Sequence, residues 1–118
     1  MTDNQLTGDM GRLAGVRPVP EVVQAHQRLE CEAAGPSRQT QYARGALTGY
    51  LWSLGQGQVA PVTGGDSAGA PDLATVTAEV DATLAQLEDS TQRTVPRDYI
   101  RGVHDALAWV CGHTDIRP

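Results

Sequence analysis

Apolar positions recur at helical spacing in both halves of the chain. In the first half the spacing predicts a helix over residues 20–34, because side chains three or four positions apart share one helix face. Gly35 and Pro36 end this helix. In the second half the apolar stripe is more regular and predicts a helix from residue 71 to about residue 89, with the stripe formed by Leu73, Val76, Val80, Leu84 and Leu87.

A repeated pattern follows each of these two segments. Residues 42–61 and 99–118 are identical at six of 20 positions without a gap, at an offset of 57. The shared residues read Tyr-x-Arg-Gly, then Trp-x-x-Gly, then Pro. The pattern predicts helices over residues 37–54 and 96–111, each followed by a glycine of the kind that commonly ends a helix. We interpret the pattern as a duplicated unit.

The sequence therefore predicts an all-α fold, a four-helix arrangement built from two duplicated αα-hairpins. The connection between the halves is rich in Gly, Pro, Thr and Asp, which favours turns on the surface. The N-terminal segment carries only scattered apolar residues and is expected to be a flexible arm. The predicted organisation is an arm at 1–17 and a single helical domain at 18–118, divided into hairpin one at 18–56, a linker at 57–70 and hairpin two at 71–118.

Small residues occupy matching places in the two repeated helices. Glycine inside a helix costs up to about 1 kcal/mol relative to alanine, so its presence needs a compensating contact. We expect the two repeated helices to cross at these small residues about a pseudo-two-fold axis, with the tryptophans filling the larger gaps nearby. The expected crossing positions are Gly45, Gly49, Gly102 and Ala106, together with Trp52 and Trp109.

Composition narrows the class of protein. The chain has 118 residues, a formal charge of -5, no Phe and nine basic side chains that are all Arg. This length favours one compact domain. The absence of Lys and Phe, whose codons are rich in A or T, suggests a high-GC genome, such as that of an actinobacterium or one of its phages. The expected core is thin, because it is built from Ala, Val and Leu without Phe. Such a core predicts self-association into a homo-oligomer, or docking into a larger complex.

The expected location is cytoplasmic. No apolar run is long enough to span a bilayer, and no basic-then-apolar leader opens the chain. Two cysteines are too few for a disulfide scaffold and fit free thiols in a reducing compartment.

Acidic residues are concentrated in the second half. No basic residue lies between Arg44 and Arg93, so an acidic face is expected on the helix over residues 71–89. Such a surface repels phosphate backbones, and direct nucleic-acid binding is not expected. An acidic nucleic-acid mimic that blocks a DNA- or RNA-binding protein remains an alternative. The acidic face comprises Asp72, Glu79, Asp81 and Glu88.

The repeated Tyr and Arg residues are the candidate binding residues. Tyr42, Arg44, Tyr99 and Arg101 could line a site on the pseudo-two-fold axis and grip a small molecule or an anion. Local pairing of each arginine with a carboxylate or an aromatic ring is the simpler interpretation. Convergence of the four side chains on one pocket would favour the ligand-binding alternative, which could include an enzyme.

No catalytic residue, metal site or cofactor is expected. His104, Cys111 and His113 have spacing that could suit zinc, but the repeat offset places the first two where Leu47 and Leu54 stand in the other copy. We therefore expect a non-catalytic protein-protein interaction module that acts as a small regulator, adaptor or inhibitor.

Overall fold

The structure is a computed structural model that describes residues 12–35, 40–56, 59–65, 69–89 and 96–118. Most of the predicted N-terminal arm and parts of the predicted linker lie outside the described residues.

Four helices make up most of the described chain. They are α1 (Val19–Glu32), α2 (Gln41–Ser53), α3 (Leu73–Glu88) and α4 (Arg97–Val110). Two short strands, β1 (Leu13–Ala14) and β2 (Arg17–Pro18), pair antiparallel ahead of α1. The helical class predicted from the sequence is confirmed, and each predicted helix is present with ends shifted by a few residues.

Local side chains begin two of the helices. The Thr40 hydroxyl accepts a hydrogen bond from the Ala43 backbone N–H at 3.0 Å and begins α2. Asp72 begins α3 by accepting from the Thr75 N–H at 2.8 Å. A side-chain acceptor at this position satisfies one of the backbone N–H groups that the first helical turn leaves unpaired.

The repeated helices α2 and α4 end in the same way. Gly55 and Gly112 have φ values of 83° and 82°, a region that glycine enters without steric cost. The Gly55 N–H donates to the Trp52 carbonyl at 2.9 Å, and the Gly112 N–H donates to the Trp109 carbonyl at 3.1 Å. The residue after each glycine also donates to a carbonyl in the last turn of the helix, at Leu51 and Ala108. Both ends are therefore Schellman-type caps built from residues at the repeat offset.

The core lies mainly between α2 and α4, which share the most extensive helix-helix interface. α3 packs against α4, and α1 packs against α2, so the two repeated helices are central and the other two flank them. The Tyr50 ring meets the Trp109 ring edge to face at a centroid distance of 6.0 Å. The large fully buried side chains of the two central helices are Tyr50, Trp52, Ile100, Val103, Leu107 and Val110.

Glycine allows the central helices to touch through their backbones. A β-carbon added to Gly45 would overlap the Tyr99 carbonyl oxygen, and one added to Gly102 would overlap the Tyr42 carbonyl oxygen. One helical turn later, a β-carbon on Gly49 would lie 3.3 Å from that of Ala106. Dispersion attraction between the closely packed backbones offsets the helix-propensity cost of the glycines.

The strand pair packs on the C-terminal end of α4. The Val16 N–H donates to the Val110 carbonyl at 2.9 Å, and Arg17 Nε donates to the Trp109 carbonyl at 2.8 Å. The Arg17 guanidinium also lies 4.7 Å from the centroid of the Trp109 ring. Strands of two residues are too short to show alternation, so the sequence pattern did not indicate them. Carbonyls at the end of α4 are thus satisfied by residues from the start of the described chain.

Within the described ranges, no helix combines the length and the apolar character that crossing a bilayer requires.

Candidate functional site

The four candidate Tyr and Arg residues do not line one common pocket. Tyr42 lines a cleft beside α3 and α4, whereas Arg44 lines a separate depression between α1 and α2 with Glu30 and Leu47. Tyr99 is half-buried and Arg101 is exposed, and neither lines these two depressions.

The cleft beside α3 and α4 combines an apolar lining with several polar side chains. Its volume is about 320 Å³, which lies at the lower end of the range typical of ligand pockets. α3 and α4 form its two sides, and the segment after α4 forms its rim. Its apolar lining consists of Val80, Leu84, Ala108, Ile116 and Pro118, and its polar lining consists of Tyr42, His104, Asp105, His113 and Thr114.

Asp105 organises the polar side of this cleft. The Tyr42 hydroxyl donates to Asp105 Oδ2 at 2.7 Å, and His104 Nδ1 lies 3.0 Å from Asp105 Oδ1. Burial and the hydrogen bond to Asp105 raise the pKa of Tyr42 above its usual range. The carboxylate is therefore held by one partner on each oxygen.

Tyr50 is a second tyrosine on α2 that the Asp105 charge affects. Its side chain is fully buried, and its hydroxyl has no hydrogen-bond partner among the described residues. Burial raises the pKa of Tyr50; the nearby Arg117 charge opposes this rise and the Asp105 charge adds to it. The Asp105 carboxylate thus influences two tyrosines on α2 from its position on α4.

Glu79 does not belong to an exposed acidic face. Its side chain is only 2% exposed, because it points toward the segment over residues 59–65. Glu79 Oε2 accepts from the backbone N–H groups of Val62 and Thr63, and Oε1 accepts from the Thr63 hydroxyl at 2.8 Å. This carboxylate anchors the connection between the two halves onto α3.

The other acidic residues predicted for this face are exposed, but they differ in their local contacts. Asp72 caps the helix, and the hydrogen bonds from Thr75 lower the pKa of its carboxyl. Asp81 and Glu88 are exposed on the helix surface. The opposite side of α3 is buried through Val76, Val80 and Thr83, so only part of this helix faces solvent.

The histidines and cysteines do not form a metal centre in the described part of the chain, where no group of three potential ligands comes together. Cys111 is buried, and its thiol donates to the Ala108 carbonyl at 3.6 Å. Burial raises the pKa of this thiol, which disfavours the thiolate that metal binding or nucleophilic attack requires. His104 and His113 instead line the cleft.

The repeat pattern did not indicate Asp105 as a site residue, and the repeat offset aligned His104 with Leu47. In the structure His104 is half-buried, and so is Leu47, its counterpart at the repeat offset. The signal that could have identified the cleft is the loss of repeat similarity at this point, where His104 and Asp105 stand opposite Leu47 and Thr48. No family model, no curated protein and no solved structure matches this chain. A function for the site therefore rests on its geometry alone.

Proposed function

We propose that this protein is a non-catalytic helical module that binds another protein and acts as a small regulator, adaptor or inhibitor. The observation that carries the proposal is the apolar rim of the cleft. Leu84 is 42% exposed and Ile116 is 79% exposed, and both line the same concavity. Exposed apolar residues grouped around a cleft and bordered by polar groups are typical of interaction sites.

The placement of the Tyr and Arg residues supports this function over the ligand-binding alternative. An anion grip would require Arg44 and Arg101 to converge, and they do not line a common pocket. The buried position of Glu79 also weakens the acidic-mimic alternative, because it removes one carboxylate from the exposed surface of α3.

The proposal includes an origin of the fold by duplication of an αα-hairpin. The reciprocal approach of Gly45 to the Tyr99 carbonyl and of Gly102 to the Tyr42 carbonyl supports it. The matching caps at Gly55 and Gly112 also support it. Under this proposal the two central helices are stable scaffold, and the flanking helices and the chain after α4 are free to acquire a partner surface.

Site-specific photo-crosslinking in the native cell tests the function. A photoreactive amino acid replaces Ile116 in one variant and Leu84 in another, and the products are identified by mass spectrometry. The matched control carries it at Gln27, which is exposed on α1, the helix that packs against α2. Both cleft positions are expected to capture the same protein, and Leu84→Glu is expected to abolish capture from position 116.

Absence of any product at both cleft positions, or the same products at Gln27, would contradict the proposal. A product of about twice the 12.5 kDa mass of the chain would identify the partner as a second copy. If the partner is a second copy, the protein is still an interaction module, and its interaction is the formation of a homo-oligomer.

A further inference from the structure

The cleft pairs apolar walls with one carboxylate side chain. Among the described residues that line it, Asp105 is the only Asp, Glu, Lys or Arg, and 38% of the Asp105 side chain is exposed. The two histidines of the lining are the other titratable groups besides Tyr42. Arg101 and Arg117 act on the nearby tyrosines from outside the lining. The charge on the cleft wall therefore complements a cation attached to an apolar stem.

The hydrogen bonds of Asp105 favour an ammonium over a guanidinium. A carboxylate offers about four acceptor directions; Tyr42 uses one on Oδ2, and His104 uses one on Oδ1 when its ring carries a proton on Nδ1. A guanidinium binds best when it meets both oxygens side by side, which these two partners hinder. An ammonium is a compact charge that needs only one free direction.

The rim indicates that the cation belongs to a protein. The exposed parts of Leu84 and Ile116 extend beyond the cleft, and a free small amine would leave them uncovered. A lysine side chain brings a methylene stem for the walls, and its backbone and neighbours can cover the rim. The chain itself contains no lysine, so a second copy cannot supply this group.

We propose that the cleft receives a lysine side chain of a different protein, with the ammonium bound to Asp105 and the stem packed against Leu84 and Ile116. This inference rests on the proposed interaction function. It identifies the partner as a protein that presents a lysine flanked by apolar residues.

Peptide titration followed by NMR tests the inference on the full chain. The probes are acetyl-Leu-Lys-Leu-amide and three matched peptides in which acetyl-lysine, arginine or norleucine replaces the lysine. The titrations are run at about pH 8, where an ordinary lysine side chain is charged. The lysine peptide is expected to shift the amide signals of Leu84, Asp105 and Ile116 and to bind at least about tenfold more tightly than the acetyl-lysine peptide, as expected for a charge-assisted hydrogen bond.

Two variants test the roles of the residues. Asp105→Asn is expected to remove the preference for lysine, whereas Asp98→Asn, at an exposed position in the first turn of the same helix, is expected to keep it. Ile116→Gly changes a side chain that is 79% exposed and is expected to leave the fold intact, so it provides a second measurement if Asp105→Asn impairs folding. This variant is expected to weaken binding of the lysine peptide severalfold.

Equal binding of the acetyl-lysine or norleucine peptide, equal or tighter binding of the arginine peptide, or no binding of any peptide would overturn the inference. If the peptides fail while photo-crosslinking at position 116 still captures a partner, the lysine assignment is wrong and the interaction function stands. If photo-crosslinking captures nothing, the interaction function itself is wrong.

Discussion

Gly45 lies directly against the carbonyl oxygen of Tyr99, so close that no β-carbon fits between the two backbones. Gly102 has the same relationship to the Tyr42 carbonyl. The central helices are thus held apart by backbone atoms, which cannot adjust by a change of rotamer. The distance between α2 and α4 is therefore set by contact between their backbones, which is possible because Gly45 and Gly102 have no side chain.

Gly45→Ala and Gly102→Ala are each expected to destabilise the protein by about 2 kcal/mol or more, because the added methyl forces the helices apart and outweighs the gain in helix propensity. Chemical denaturation followed by circular dichroism measures the change. Gly35→Ala is the matched control, since a β-carbon there meets nothing within 4 Å. A parental midpoint for Gly45→Ala would show that the helices do not cross this closely.

Arg17→Ala is expected to lower the free energy of unfolding by about 1–3 kcal/mol, since it removes a hydrogen bond to the Trp109 carbonyl, one to the Thr114 carbonyl and the stacking on the Trp109 ring. Arg17→Lys is expected to recover only part of this loss, because an ammonium cannot reproduce the planar fork. Arg28→Ala, at an exposed position on α1, serves as the control. Equal stability of the lysine variant and the parent chain would argue against a role for the guanidinium geometry.

Glu79→Gln is expected to cost about 1–3 kcal/mol, because the uncharged amide oxygen accepts weaker hydrogen bonds from the Val62 and Thr63 backbone N–H groups than the carboxylate oxygen does. Hydrogen exchange should accelerate selectively at the Val62 and Thr63 amides, which donate to this side chain. Asp81→Asn is the matched control two residues along the same helix, where the side chain is exposed. Unchanged exchange at these two amides would mean that the carboxylate does not hold the linker.

Alkaline pH is expected to destabilise the folded chain through its buried tyrosines. The pKa values of Tyr42 and Tyr50 are raised above the ordinary value of 10.0, so the unfolded chain loses these protons first. The two tyrosines contribute fully to the free energy of unfolding below pH 10, and this contribution is lost as the pH rises toward their raised pKa values. Denaturation midpoints are measured over a range of alkaline pH, alongside tyrosinate absorbance. The midpoint is expected to fall less steeply with pH in Tyr42→Phe than in the parent chain.

These measurements are made in a Cys111→Ala background, because burial also raises the pKa of that thiol. The absence of lysine leaves the alkaline titration free of ammonium groups from that side chain. An unchanged slope in Tyr42→Phe would show that this hydroxyl titrates alike in the folded and unfolded chains.

Periodicity and local capping were enough to indicate the helices. The apolar stripe of α3 and the glycines after α2 and α4 act within a few residues of where they stand. The caps at Thr40 and Asp72 are equally local but were not predicted, and the predicted starts at residues 37 and 71 were a few residues early. Such signals can be read along the chain because a helix is held by hydrogen bonds between near neighbours. The repeat also indicated Gly45 and Gly102 as crossing positions, because matched glycines inside two helices need a close neighbour to offset their cost.

The amino-acid sequence alone determined which segments are helical, the helix ends to within a few residues, and which helix faces are apolar. Only the tertiary structure decided that Glu79 is buried against Val62 and Thr63, that Arg17 reaches Trp109, and that Tyr42 meets Asp105 in the cleft. These partners stand 16 to 92 positions apart, and no local spacing rule connects them. A side chain's charge is visible in the sequence, but its burial and its partner depend on which helices pack together, and that is settled by the whole core at once.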